Sequence, residues 1–208
     1  MSDINTTKLA KNKNFSKFEI TESFTCIRFL DQNKERFELE FNLEKGTSFN
    51  TFIIKSHDQL FIIHPPEKRH SELINEIISE SFNQFKIKEI HIITGHINPQ
   101  IIETLKNINT VFNNITITCS NPGFKLISEL WTQRNPNSKE FVEVKLPKIN
   151  IIKKELKLEL SNYSLELIPV PTARWPGGLI VYETNQEILL SEKIFSAHIE
   201  SDYWSETN

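Results

Sequence analysis

The spacing of apolar residues changes twice along this chain, and that change constrains the fold more than any other feature of the sequence. Apolar and polar residues alternate from 36 to 41, so Phe37, Leu39 and Phe41 share one face of a half-buried strand. From 69 to 85, apolar residues recur at steps of three and four, as in an amphipathic helix. Short strand-like runs return from 141 onward. This order predicts a mixed α/β protein built in layers.

In the middle of the chain, predicted helices alternate with predicted strands. A β-branched run at 89–94 indicates an interior strand. Asn98 then has the properties of a helix N-cap, and Pro99 those of a first helical residue. A strand at 115–119 precedes a third helix that starts at Asn121 and Pro122. The other predicted strands cover 24–41, 51–55, 60–63, 141–146, 150–153, 156–160, 165–170, 179–182 and 188–190.

Length and charge limit the classes of function. A chain of 208 residues with 38% hydrophobic residues is long enough for one domain with a substantial core. The polar first fourteen residues predict a flexible tail at 1–14, with the domain at 15–208. The formal charge of −3 argues against binding of nucleic acid, and no apolar run reaches the roughly 20 residues needed to cross a bilayer. We therefore expect a cytoplasmic protein without nucleic acid or membrane insertion.

The sequence lacks several common chemical motifs. Cys26 and Cys119 are the two cysteines, and without C-x-x-C spacing they are expected to be buried free thiols. A disulfide, a zinc site or a redox pair is the alternative for them. The sequence contains neither a G-x-S-x-G elbow nor a G-x-G-x-x-G loop. Neither a serine hydrolase nor a dinucleotide-binding loop is therefore indicated.

Four stretches of the sequence resemble one known family. They are Arg36–Phe41 running into Gly46–Ile54, then Ile92–His96, Thr172–Pro176 and Ile188–His198. The family is that of the flavodiiron proteins. The first stretch resembles their N-terminal strands with G-T-[TS]-[YF]-N, and the second resembles the strand that delivers their H-x-E-x-D-H metal motif. The third resembles their W-P segment, and the fourth resembles their S-x-D-A-F-G-x-H strand and turn. The resemblance is to the oxygen-reductase domain of the diflavin members and extends over about residues 36–198.

This resemblance implies a fold and a chemistry. The implied fold is a metallo-β-lactamase-like αββα sandwich, shortened at its C-terminal end and without a following flavodoxin or flavin-reductase domain. Intact members of the family reduce oxygen, or nitric oxide in some cases. They use electrons that pass from NAD(P)H through FMN to a di-iron centre, so di-iron and FMN are the cofactors of the family.

Most of the ligand positions that the resemblance implies hold residues unsuited to iron. His96 matches the first ligand. The following ligand positions hold Asn98, Gln100 and Ile101, the later histidine position holds Arg174, and the bridging aspartate position holds Lys193. Arginine has no lone pair to donate and lysine is normally cationic, so both repel a metal ion. We expect no intact di-iron site, and His96 is either a surviving ligand or a loop imidazole that bonds the local backbone.

The remaining histidines and aromatic residues have structural interpretations. His64 is expected at a strand end, His198 near the pocket or in a structural hydrogen bond, and His57, His70 and His91 at the surface or in packing contacts. Trp175 and Pro176 are expected to fix their loop against the sheet, with a ligand pocket as the alternative. Lysines and glutamates interleave from 140 to 159, which is typical of a solvated face.

The expected function is that of a degenerate flavodiiron module without independent di-iron oxygen reduction. No catalytic residue, cofactor-binding residue or cofactor is predicted for this chain alone. Three alternatives stay open. In the first, the chain forms a homodimer, or it docks on a full-length flavodiiron paralogue as a heteromer. It acts as an enzyme subunit, either a hydrolase or an oxidoreductase that passes electrons from NAD(P)H through a partner's FMN to oxygen. It is a pseudogene product.

Overall fold

The computed structural model describes residues 8–12, 15–31, 47–133 and 144–194. These residues form two sheets and three α-helices. The large sheet contains β1 (Lys8–Asn12), β2 (Phe15–Thr21), β3 (Phe24–Asp31), β4 (Thr47–Ser56), β5 (Gln59–Ile63), β6 (Glu89–Ile93), β7 (Ile115–Ser120) and β8 (Lys148–Ile152). The small sheet contains β9 (Leu156–Glu159), β10 (Ser164–Pro169), β11 (Leu179–Glu183) and β12 (Ile188–Leu190).

The connections between strands explain the mixed character of the large sheet. Its strands lie in sequence order, and β1 to β5 pair antiparallel while β5 to β8 pair parallel. Each parallel pair needs a crossover connection, and the helices α1 (Ser71–Phe85), α2 (Pro99–Val111) and α3 (Asn121–Thr132) supply the three crossovers. A short 3₁₀ helix (Lys68–His70) precedes α1. No helix in the described part of the chain is long and apolar enough to span a membrane.

Two apolar clusters divide the molecule into layers. The first lies between the three helices and one face of the large sheet, and includes Ile62, Ile92 and Ile127. The second lies between the other face of the large sheet and the small sheet, and includes Ile63 and Leu167. The α/β fold class predicted from the sequence is therefore confirmed. The described residues provide a helical layer and two sheets, and no described helix contributes to the second cluster.

One predicted boundary differs from the structure. Residues 8–12 fall in the predicted tail, but they form β1, which pairs with β2 through Lys8–Phe18 and Leu9–Lys17. An edge strand pairs through its main chain and needs no apolar side chain, so a polar composition does not reveal it. The predicted strand at 36–41 lies outside the described residues.

The predicted strand at 141–146 is wrong for its described part, because residues 144–147 are irregular. The backbone carbonyl of Val144 accepts a hydrogen bond from Trp131 Nε1 at 2.8 Å. The carbonyl of Lys145 accepts one from Asn109 Nδ2 at 2.7 Å. The carbonyl groups of residues 144 and 145 thus accept hydrogen bonds from side chains of α2 and α3 rather than from the backbone of a neighbouring strand.

Other local predictions are confirmed. The β4–β5 hairpin turns at His57 and Asp58, and the β11–β12 hairpin turns at 184–187. Pro99 opens α2, and the side chain of Asn98 accepts a hydrogen bond from the Ile101 N–H at 2.8 Å. The two cysteines are buried free thiols, and burial raises the pKa of each to about 12.

Candidate functional site

Three loops meet at one end of the sheets because glycines permit close contact between their backbones. A Cβ atom added to Gly95, after β6, would lie 2.4 Å from the carbonyl oxygen of Leu179 at the start of β11. Gly177 lies close to the start of α3, where an added Cβ would be 3.1 Å from the Cα of Gly123. Ser120 Oγ donates a hydrogen bond to the Gly177 carbonyl at 2.9 Å. The loop after β6 is therefore fixed against the loop that joins β10 to β11.

His96 lies in the first of these loops and is 5% exposed. Its Nε2 atom lies 3.0 Å from Asn98 Nδ2. Asn98 uses its Oδ1 atom to cap α2, so its amide nitrogen faces His96 and donates to Nε2. The Nε2 lone pair of His96 is thus engaged by the side chain of Asn98. The expected bond between His96 and the local backbone stays a prediction.

Trp175 brings the predicted cationic residues to the same place. Its ring lies 4.8 Å from the His96 ring, in an edge-to-face arrangement. Arg174 Cζ lies 5.3 Å and Lys193 Nζ 5.9 Å from the centroid of the Trp175 ring. Both distances fall in the range of cation–π attraction. We name His96, Asn98, Arg174, Trp175 and Lys193 the Trp175 cluster.

A second aromatic ring extends the cationic surface. Lys193 Nζ is also 5.1 Å from the ring of Phe49, and Arg69 Cζ is 5.8 Å from that ring. Arg69 Nη2 donates to Glu67 Oε2 at 2.9 Å, and Glu67 is buried. The sequence analysis did not predict these contacts of Phe49, Glu67 and Arg69, because they depend on how distant segments pack together.

Two of the predicted positions lie away from the cluster. Gln100 is exposed in the first turn of α2. Ile101 is 4% exposed and belongs to the apolar cluster between the helices and the large sheet. Ile101 is therefore a residue of the hydrophobic core. The structure brings together four of the six predicted positions, namely His96, Asn98, Arg174 and Lys193.

His64 links two strand ends near the cluster. It directly follows β5, as predicted, with φ of 58° and 4% exposure. Its Nε2 atom lies 3.2 Å from the carbonyl oxygen of Leu190, the last residue of β12. Burial lowers the pKa of His64 to about 4. The hydrogen bond to the Leu190 carbonyl raises this pKa and the charge of His96 lowers it, but both effects are smaller than that of burial. His64 is therefore neutral at ordinary pH.

The other described histidines occupy packing or surface positions, as predicted. His70 packs on the ring of Phe29 at 4.9 Å, and His91 stacks on Phe61 at 4.8 Å. His57 is exposed in the β4–β5 turn. His198 lies outside the described residues.

The described residues at this site do not provide the donors that a pair of iron ions needs. Iron is held by several imidazole and carboxylate donors that converge on it. Within the described ranges, no group of three or more His, Cys, Asp or Glu side chains is placed to hold a metal ion. The Trp175 cluster instead combines one imidazole and one amide with a guanidinium and an ammonium group. A guanidinium group and an ammonium group offer no lone pair to a metal ion.

A comparison with family models decides the relationship of this chain. The model described as "ODP family beta lactamase" matches residues 47–207. The chain belongs to this family. The matched residues include the whole Trp175 cluster and both sheets from β4 onward. This match confirms the metallo-β-lactamase-like fold that the resemblance implies.

Several curated relatives of this ODP family member are named as diflavin flavoproteins. The putative diflavin flavoprotein A 6 of Nostoc sp. is 32% identical over 193 residues, which is 92% of this chain and 31% of that protein. The putative diflavin flavoprotein A 5 of the same organism is 29% identical over 93% of this chain and 32% of that protein. The chain thus spans about a third of the length of these curated relatives.

Solved structures of flavodiiron and diflavin proteins have a fold similar to that of this chain. The metal-soaked Flv1 flavodiiron core from Synechocystis sp. matches with a TM-score of 0.76 and 27% identity, over 91% of this chain and 44% of that chain. A fragment of the putative diflavin flavoprotein A 5 from Nostoc sp. matches with a TM-score of 0.72 and 27% identity, over 91% of this chain and 69% of that chain. The fold of this ODP family member is that of a flavodiiron core domain.

Proposed function

We propose that this chain is a flavodiiron-type core domain that holds no di-iron centre and acts by docking on a full-length flavodiiron relative. The observation that carries the proposal is the content of the Trp175 cluster. Arg174 and Lys193 stand at two positions where the resemblance implies iron ligands, and both lie within cation–π distance of Trp175. A guanidinium group and an ammonium group at these positions have no lone pair with which to hold iron.

The environment of His96 supports the same conclusion. His96 is the one predicted ligand position in the cluster that retains a metal-binding residue type. Its Nε2 atom accepts from Asn98, which is held in place because its other amide atom caps α2. Coordination of a metal through Nε2 therefore requires loss of this hydrogen bond. A single imidazole so engaged is a poor starting point for a metal centre.

The kind of relative that the chain matches supports the docking part of the proposal. The chain covers about a third of the Nostoc diflavin flavoproteins. Their names indicate flavin chemistry, so in the proposed complex the full-length relative supplies the flavin and this chain supplies a core domain without a reaction centre. The proposed location is the cytoplasm, where free thiols such as Cys26 and Cys119 are common.

Elemental analysis tests the metal part of the proposal. The protein is purified without chelators after growth with iron, and iron and zinc are measured per chain, together with flavin absorbance. We expect metal contents well below one equivalent that do not change in His96→Ala. The matched control is His57→Ala, because His57 is exposed in a turn away from the cluster. One or more equivalents of iron, lost in His96→Ala and kept in His57→Ala, would contradict the proposal.

Size-exclusion chromatography tests the docking part. The chain is mixed with a full-length diflavin relative, and we expect the two to elute together earlier than either alone. Separate elution at all mixing ratios would refute docking. Oxygen consumption with NAD(P)H in the same mixture addresses the alternative of an active subunit. An increase that depends on this chain and disappears in His96→Ala would favour that alternative over the proposal.

A further inference from the structure

Strand β8 forms one edge of the large sheet. It pairs with β7 on one side and with no strand of the described ranges on the other. An edge strand presents a row of backbone N–H and C=O groups that its own sheet does not use. Among the described residues, none of the backbone hydrogen bonds formed outside helices and strands involves residues 148–152. The outer side of β8 is therefore a template on which a further strand can pair.

The other three edges of the two described sheets are less suited to pairing. β12 has three residues, and β9 carries Lys157 and Glu159, which form an ion pair with each other at 2.8 Å. β1 has two lysines among its five residues. Short strands and charged side chains are features that prevent contact between sheet edges. The three central residues of β8 are Ile149, Asn150 and Ile151, so the middle of this edge carries no charge.

Apolar side chains are exposed on the side of the molecule where β8 lies. Ile151 pairs with Cys119 of β7 and lies on the helix side of the large sheet, but it is 39% exposed. Leu156 of β9 lies opposite the buried Leu167 and is 48% exposed. Residues 153–155 join β8 to β9, so these two edges are adjacent. The described residues therefore leave the sandwich open at this side.

The charges beside β8 restrict how a second copy of the chain could pair with it. Two β8 strands related by a two-fold axis perpendicular to the sheet run antiparallel, and opposed residues face the same side. An axis one residue before Asn150 would set Lys145 opposite Lys153 of the second copy. An axis one residue after it would set Lys148 opposite Lys154 of the second copy. Like charges in direct opposition are destabilising, so both registers are disfavoured.

An axis at Asn150 removes both conflicts. Lys145 then lies opposite Glu155 of the second copy, and both side chains are exposed in the single chain. Ile149 lies opposite Ile151 of the second copy, so the pairing covers an apolar side chain that is otherwise exposed. We propose that this chain forms a symmetric dimer in which the β8 strands of two copies pair antiparallel about Asn150. The two eight-stranded sheets then form one continuous sheet.

Analytical ultracentrifugation of the full chain over a range of protein concentrations tests this dimer. We expect a reversible equilibrium between monomer and dimer. Asn150→Lys places an ammonium group on each side of the axis, so the dissociation constant of the dimer should rise at least about tenfold. Asn83→Lys is the matched control, because Asn83 is exposed on α1. It should leave the dissociation constant unchanged.

A charge exchange tests the register. Lys145→Glu and Glu155→Lys each create like charges at two symmetric places, so each should raise the dissociation constant about fivefold. The double variant with both substitutions restores opposite charges and should return the dissociation constant to its original value. A structural effect of either single substitution would not be reversed by the other. Circular dichroism melting curves establish that all variants fold.

A disulfide gives a direct readout of the position of the axis. Opposed residues of an antiparallel pair have Cα atoms roughly 4.5–5.5 Å apart, which is within the range for a disulfide. A mild oxidant should therefore link two chains of Asn150→Cys, as seen by non-reducing gel electrophoresis. Asn83→Cys should stay unlinked, and the native Cys26 and Cys119 are buried.

The inference concerns self-association and does not rest on the proposed function. A chain that is monomeric at every concentration would overturn the dimer and leave docking on a flavodiiron relative intact. A dimer that Asn150→Lys does not weaken would also overturn the inference, since another surface would then join the copies. A monomeric chain that elutes with the full-length relative, and fails to do so in Asn150→Lys, would assign this edge to the relative instead.

Discussion

Gly95→Ala is expected to destabilise the protein strongly, because the loop after β6 has no room for a Cβ atom. The added atom would lie 2.4 Å from the Leu179 carbonyl oxygen, 2.5 Å from the Leu179 nitrogen and 3.0 Å from its Cα. All three atoms belong to the backbone of β11, which is held between β10 and β12 and cannot rotate away. Overpacking of this kind costs about 1–3 kcal/mol, and the rigid neighbour places Gly95→Ala near the upper end.

Gly123→Ala is the matched control for this prediction. Its added Cβ would lie 3.2 Å from Ser120 Oγ and 3.4 Å from Cys119 Cβ, so a small adjustment of side chains relieves the contact. Gly123 also lies in the first turn of α3, where alanine has the higher helix propensity by about 1 kcal/mol. We therefore expect Gly123→Ala to change the free energy of unfolding by less than about 1 kcal/mol.

Urea unfolding and thermal melting measure both variants. For a protein of this size, a loss of 1 kcal/mol lowers Tm by about 2–4 °C, so Gly95→Ala should lower it by about 6–12 °C. Nearly equal effects of the two variants would refute the reasoning, as would a loss below about 1 kcal/mol in Gly95→Ala. Either result would mean that the loops after β6 and β10 are not in fixed contact, and the geometry of the Trp175 cluster would lose its support.

Further predictions concern buried polar groups. Glu183→Gln should lower the free energy of unfolding by about 1–3 kcal/mol in urea titrations. The fully buried side chain of Glu183 accepts hydrogen bonds from Ser164 N–H at 3.0 Å and from Gln186 N–H at 2.6 Å. Glu187→Gln should leave the free energy of unfolding unchanged, because Glu187 is exposed. Cys26 and Cys119 should resist a thiol reagent at pH 8 until urea unfolds the chain, since burial raises the pKa of both; rapid labelling of folded protein would refute this. Burial lowers the pKa of His70 to about 4, so below pH 6.5 the unfolded state binds more protons. The free energy of unfolding should therefore fall between pH 6.5 and about 4, less steeply in His70→Gln; equal slopes would contradict the assignment.

Local elements were predictable because short stretches of sequence determine them. The N-cap of α2 needs only Asn98 and the following Pro99, and the buried stripe of α1 is visible in its spacing. The parallel order of β5 to β8 follows from the alternation of strands with helices. Strand β1 was not predictable, because its pairing with β2 uses backbone groups that every residue carries.

The candidate site was predictable only through the resemblance. The resemblance placed Arg174 and Lys193 at one site, and the structure brings both to Trp175. The bond between His64 and the Leu190 carbonyl joins β5 to β12 and has no signature in either segment. Such contacts depend on how the two sheets are stacked, which spacing within one strand does not reveal.

The double role of Asn98 restricts how this site can change. Glutamate at this position is longer by one methylene group and fits the N-cap of α2 poorly, at a cost of about 1 kcal/mol. Aspartate keeps the cap, but it replaces the donor that faces His96 Nε2 with an acceptor. Glutamate therefore weakens the cap, whereas aspartate requires the tautomer of His96 that donates from Nε2. The start of α2 and the imidazole of His96 are thus linked through one side chain, so a substitution at position 98 acts on both.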